Sequence, residues 1–299
     1  MLKTNAERLV KVSVTGEICA PYTMGRSLDI IDFQGRQSLA NGLGGVVYNV
    51  RTGDNVYGWE GVDHLEPGVS LRSKEKEIQL PLNVLPCVGN RAFIVTAAMD
   101  NDELKLKGKK GIVTGNHAGI DDIHVYFEED IIKHLIIGDK IAIYSYGIGL
   151  RLIDYPDIRI QKIDPDLFLS LGIKEKNGGL EIPVTHAVPP ELMGSGIGTG
   201  HTNVGDYDIQ TTSHDGEVRE EFRDLRFGNL VALMDQNCKQ GFGYNKGSIS
   251  IGVVIHGDSR ISGHGPGVTP LISGTKENIS IRIDKNANIK NHFEKLFNI

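Results

Sequence analysis

The chain has 299 residues, 39% hydrophobic and 23% charged, with a formal net charge of −6. That is the balance of a globular protein with a sizeable core, not of a disordered segment. Acidic and basic residues are interspersed without a long basic run, which argues against nucleic acid and against an anionic membrane surface as partners.

Glycine is the outlier, with 37 residues against a usual share of about 7%. Glycines supply tight turns and close backbone approaches, so many of them beside few helix-period stretches predict short strands joined by turns. Cys19, Cys87 and Cys238 are odd in number and widely spaced. This pattern predicts reduced thiols and a cytoplasmic location rather than a disulfide framework. The start, MLKTNAERLVKVSV, lacks the apolar stretch of a signal peptide, and no apolar run is long enough to cross a bilayer.

In chain order, residues 9–19 (LVKVSVTGEIC) alternate as a strand, and residues 44–61 read as strand, Gly53-Asp54 turn, strand. Residues 63–70 (DHLEPGVS) form a loop with His64 and Glu66, and residues 92–98 form a buried strand. Residues 110–127 and 136–153 each give further β runs around glycine turns. Residues 165–171 start a short helix, with Pro165 after Asp164 as the start signal. Ile289, His292, Phe293, Leu296 and Phe297 recur at helical spacing and predict a C-terminal amphipathic helix over 286–297. The expected architecture is mostly β, of barrel or sandwich type, with a connector helix and a C-terminal helix. Its parts are an N-terminal β domain at 1–153, a connector at 154–192 and a C-terminal β domain at 193–299.

Three segments carry ionisable side chains on glycine-rich bends: GSGIGTGHTNVGDYDIQTT at 194–212, SISIGVVIHGDSRISGHGPGVTPLISG at 248–274, and GIVTGNHAGIDDIHVYF at 111–127 with His117, Asp121, Asp122 and His124. His256 and Asp258 emerge at the end of an apolar strand, where sites on rigid scaffolds are commonly built. A metal reading takes His201, Asp206, Asp208, His256 and His264 as ligands, with Asp258 a further carboxylate. Nitrogen and oxygen donors of this kind suit zinc, manganese or iron. His256, Asp258 and His201 are then the candidate catalytic groups. Gly196, Gly198 and Gly200 form a candidate cradle for an anion, although Pro189 and Pro190 before them and the polar stretch after them do not fit a dinucleotide fingerprint. Ser259 and Ser195 lack the setting of an activated nucleophile, and nothing marks Cys238 as one. His64 with Glu66 could line a pocket beside Trp59, or simply satisfy their own loop.

At these motifs the chain resembles the prokaryotic family termed domain of unknown function 4438. The resemblance is carried by GVVYNVRTGDNVYGWEGVDHLEPGVS, LPCVGNRAFIV, KGIVTGNHAGIDDIHVYF, MGSGIGT, GDYDIQTT and IGVVIHGDSRISGHGPGVT. It implies a β-rich fold and supplies no catalytic residues. A fainter similarity, to acetamidase/formamidase-type enzymes, rests on Gly205-Asp206-Tyr207-Asp208-Ile209 and implies amide hydrolysis by analogy alone. Two functions follow as expectations. One is a metal-assisted hydrolase acting on a small molecule. The other is a non-catalytic, oligomer-forming binder of a small ligand or anion. A homo-oligomer is expected in either case.

Overall fold

Six antiparallel strands close on themselves in the computed structural model, which describes residues 2–21, 29–32, 34–39, 44–117, 119–120, 122–213 and 215–298. Val12–Ile18, Lys140–Ser145, Arg91–Thr96, Lys110–His117, Asp122–Tyr126 and Gly68–Arg72 pair in that order. The last returns to the first through Glu17↔Arg72 and Ile18↔Leu71. Closure removes the open strand edges that would otherwise recruit another chain. Alternation along each strand fills the interior. Val113 packs inside with Val69, Val125 and Ile143, while its neighbour Ile112 faces outward into a second core.

That second core lies against a sheet in the order Arg159–Ile160, Gly267–Thr275, Gly243–Val254, Leu230–Asn237, His186–Val188, with Tyr207–Asp208 paired to Gly267–Thr275. Lys174–Lys176, Gly179–Val184 and Ile279–Ile283 make a third, small sheet. The long strands of the second sheet are apolar on both faces because each face has a core of its own. Ile249, Ile251 and Val253 pack towards the barrel, and Leu233, Val254 and Val268 pack away from it. The mostly β class, the barrel and the C-terminal helix thus agree with the expectation from sequence. No helix among the described residues is long and apolar enough to cross a membrane.

Three local expectations change. Residues 44–61 give only the short strand Val46–Val47. Asp54 Oδ2 accepts from Arg51 N at 2.8 Å, and Asn55 bridges to Arg226, so the chain crosses to the C-terminal half instead of folding back as a hairpin. The segment 154–192 contains the helix Pro165–Ser170, N-capped by Asp164, and also strands that join the second and third sheets. The C-terminal helix is shorter than its periodicity: a 3-10 turn at Ile289–His292, capped by the Asn288 side chain, leads into Phe293–Phe297.

Between barrel and second sheet, Lys162 is buried with its Nζ donating to the carbonyls of Asn83 (2.8 Å) and Val84 (3.4 Å) at the end of the helix Lys76–Val84. Burial pulls its ammonium down to about 8 from 10.5. Between those two pH values the unfolded chain binds more protons than the folded one, so stability rises with pH across that window. Below it a penalty of about 3 kcal/mol is fully present. Denaturant unfolding from pH 7.5 to 10.5 will therefore show wild type gaining about 3 kcal/mol relative to Lys162→Met. Parallel pH profiles for the two proteins would refute this account of Lys162.

Candidate metal centre

The barrel strand Lys110–His117 ends with its last side chain aimed at the strand ends of the second sheet, and the loop 63–66 lies across the same junction. His64 N donates to Asp258 O (3.1 Å) and Gly257 N donates to Leu65 O (2.8 Å), so the two loops are zipped together. His64 itself sits at φ 52, a sparsely populated conformation that the paired backbone enforces. Asn116 Oδ1 accepts from Gly205 N at 2.7 Å, drawing the Asp206–Asp208 segment to the barrel rim.

Three imidazoles are oriented in the same manner. His64 Nδ1 lies 2.6 Å from Asp63 Oδ2, His117 Nδ1 lies 2.6 Å from Glu66 Oε1, and His256 Nδ1 lies 2.9 Å from Gly257 O. Gly267 N also approaches His256 Nδ1, at 3.3 Å. We assign the shorter contact, which makes this nitrogen the donor to the carbonyl. Acceptors at Nδ1 leave Nε2 as the free donor atom, the usual arrangement behind a metal-ligating histidine. Asp63 is in turn held by Ser259 Oγ (3.0 Å) and Arg260 N (2.8 Å), and Glu66 accepts from Ser70 Oγ (2.5 Å).

The Nε2 atoms meet carboxylates. His256 Nε2 is 2.8 Å from Asp206 Oδ2 and 3.5 Å from Asp208 Oδ1. His64 Nε2 is 3.0 Å from His264 Nδ1 and 3.8 Å from Asp208 Oδ2, which itself lies 3.1 Å from His264 Nδ1. The His117 and His256 rings stack at 4.3 Å. His64, Asp208 and His256 form one set of donors close enough to share an ion, and His117, Asp206 and His256 form another. Asp208 Oδ2 is buried and meets His264 Nδ1 and His64 Nε2 only as ion-pair neighbours, off the line of a hydrogen bond. Such an acceptor is costly unless something fills its coordination.

Charge points the same way. Burial opposes ionisation of Asp63, Glu66, Asp206 and Asp208, yet the facing histidines outweigh it and hold all four carboxyls below their ordinary range. Burial likewise opposes protonation of His64 and His256, but the aspartates raise both, His256 well above its ordinary value. Burial and the charge of His256 lower His117. The carboxylates are thus held as anions in the interior, the state a bound cation requires.

Of the residues expected from sequence, Asp206, Asp208, His256 and His264 are brought together. His201 is exposed and has no contact with this cluster among those described. His64 and His117 stand where it was expected. Asp258 faces away: Thr212 Oγ1 donates to its Oδ2 at 2.7 Å, and burial pushes its carboxyl up to about 6. The glycine loop buttresses the segment from behind. Gly194 N donates to Asp208 O and Asp208 N donates to Ser195 O, each at 2.9 Å. Gly196 is at φ 96, and a Cβ there would lie 2.7 Å from Asp206 O. Gly198 N donates to Phe242 O, and Gly198 and Gly200 lie in the wall of a separate cavity of about 650 Å³ with Phe242 and Tyr244. Ser259 is engaged by Asp63, and burial pushes the Cys238 thiol up to about 11, so neither is an activated nucleophile. Asp121 lies outside the described residues.

The cluster opens to solvent at His264, whose side chain is 22% exposed. There it meets a cavity of about 320 Å³ lined by Gln210, Thr212, Arg219, Ser259 and Ile261. A larger cavity, about 650 Å³, lies beside the imidazoles rather than on them, with Tyr57, Thr212, Asp258 and Arg260 in its wall.

Residues 30–169 match the N-terminal part, and residues 170–293 the C-terminal part, of the family described as domain of unknown function DUF4438. His64 and His117 come from the first segment, and Asp206, Asp208, His256 and His264 from the second. The crystal structure of a protein called TM1086 is similar at 41% sequence identity, with a TM-score of 0.88 over 97% of this chain and 99% of that one. No curated protein matches.

Proposed function

The chain belongs to the DUF4438 family, both of whose parts it carries, and we propose that its centre binds a divalent metal ion and hydrolyses a small polar molecule. The observation that carries this reading is the common orientation of His64, His117 and His256, with Nδ1 anchored and Nε2 turned towards Asp206 and Asp208. Nitrogen and carboxylate donors favour zinc, manganese or iron over calcium or magnesium. An ion at His64, Asp208 and His256 would supply an activated water. His264, at the mouth, stands between that position and solvent. Asp258, whose carboxyl burial raises to about 6, stands in the wall of the larger cavity with Thr212 Oγ1 on its Oδ2. Amide bonds are the substrate class suggested by the short Gly205–Ile209 resemblance.

Elemental analysis of protein purified without chelator tests the proposal. At least one equivalent of zinc, manganese or iron per chain is expected. Metal-free protein whose melting is indifferent to both added ions and EDTA would overturn it. A second reading, binding of a small anion without catalysis, is favoured by Arg219 and Arg260 in the cavity walls. Stabilisation of the metal-free chain by a carboxylate or phosphate metabolite in a thermal-shift screen would select it.

A further inference from the structure

Behind His117, on the outer face of the barrel wall opposite the interior residues Ile123 and Val125, His124 projects from the strand Asp122–Tyr126 towards the same glutamate that orients His117. Its side chain is fully buried, and neither ring nitrogen has a hydrogen-bond partner among the described residues. His124 Nε2 lies 3.2 Å from Glu66 Oε1, but off the line of a hydrogen bond. An imidazole always carries at least one donor or acceptor in need of a partner, and leaving both nitrogens unmet in the interior is strongly unfavourable. Among the described residues, the one charged neighbour within ion-pair reach of its ring is Glu66, at Nε2, and Nδ1 meets no hydrogen-bond partner. Glu66 is committed to His117 and Ser70, and Asp122 takes two hydrogen bonds from Arg72, at 2.6 and 2.9 Å.

We propose that Glu66, His117 and His124 form a second divalent-cation site, buried between the outer face of the barrel wall and the second sheet, next to the open one. One donor atom from each of the three residues falls within 4.8 Å of the others, and an ion bound through His117 Nδ1 would replace the proton which that nitrogen shares with Glu66 Oε1. Two imidazoles and a carboxylate match the donor chemistry of zinc, manganese or iron. Stacking of His117 on His256 sets the inner site against the outer one, so the pair makes a two-ion centre with His117 at its boundary. The inner ion lies away from the mouth at His264 and holds Glu66 and His117 in place, while the outer ion faces the cavity. This extends the metal reading of the previous subsection and rests on it for its catalytic meaning, but the inner site has its own atoms and its own test.

Full-length protein stripped of metal is titrated with Zn²⁺, desalted, and analysed for zinc per chain, and the titration is repeated with Co²⁺ to read its visible absorption. Wild type should hold two equivalents. His124→Leu should hold one, and Asp208→Asn should also hold one, with a different Co²⁺ spectrum because a different site survives. His124→Gln, which keeps a polar group of smaller reach, guards against a folding failure in the leucine variant, and wild-type stoichiometry needs no variant at all. One equivalent in wild type, unchanged by either His124 substitution and lost in Asp208→Asn, overturns the inner site and leaves the outer one standing. No zinc retained in any of the proteins overturns both.

Discussion

Chelation of the ion at His64, Asp208 and His256 will lower the melting temperature by on the order of 10 °C, and Asp208→Asn will abolish that ion's share of the chelator effect. An ion present at about a thousand times its dissociation constant stabilises the folded state by about 4 kcal/mol, and each kcal/mol moves the midpoint of a chain this large by roughly 2–4 °C. The donors are distributed so that the whole of that energy acts across the junction. His64 and His117 come from the barrel side, while Asp208 and His256 come from the second sheet. Without an ion, Asp206 and Asp208 repel one another across the junction and are held by the facing imidazoles. Protons and the ion compete for the same nitrogens, so the chelator effect will shrink as pH falls. Calorimetry with and without EDTA at pH 8 and pH 6 reads both trends. Equal midpoints at pH 8 would sink the idea that an ion joins the two halves.

How much of this was legible in the sequence depends on what set each side chain's direction. The barrel strands follow from local alternation, and His256 and Asp208 stood out because glycines flank them at strand ends. The N-terminal residues His117, His124, His64 and Glu66 stood out in the sequence too, on a glycine-flanked segment and a short loop, but nothing local joined them to the C-terminal set. His117 reads as one polar residue finishing a buried strand, and its aim follows from barrel closure through Glu17↔Arg72 and Ile18↔Leu71, which pairs segments more than fifty residues apart. His64 points inward only because its backbone is held at positive φ by Asp258 and Leu65 contacts. His201 looked attractive for the opposite reason: glycines precede it, but they serve to pack the loop against Asp206 and Phe242, and the histidine is left outside. Local pattern found the scaffold and the candidate donors, and long-range pairing decided which of them meet.

Gly267→Ala will cripple the centre more severely than its size suggests. Gly267 pairs with Asp208 across the sheet, and its Cα faces the cluster. A Cβ at that position would lie 2.1 Å from His256 Nε2 and 2.3 Å from Asp206 Oδ2. Neither group has room to retreat. His256 Nδ1 is tied to Gly257 O, and Asp206 sits on a segment fastened to Asn116 and to the glycine loop. The methyl must therefore part the imidazole from its carboxylate or lift the strand, an overpacking cost of about 1–3 kcal/mol, to which the lost interaction of a buried charge pair is added. Displacing donors and their supports lowers metal affinity by about 10–100-fold or more. Gly263→Ala is the control. It lies in the neighbouring bend at φ 80 with nothing within 4 Å of its would-be Cβ, so it suffers backbone strain of about 1 kcal/mol and no intrusion. Zinc titration and urea unfolding of the two variants side by side should show affinity lost in the first and kept in the second. Equal affinities would mean that contact between Asp206 and His256 is not what shapes the site.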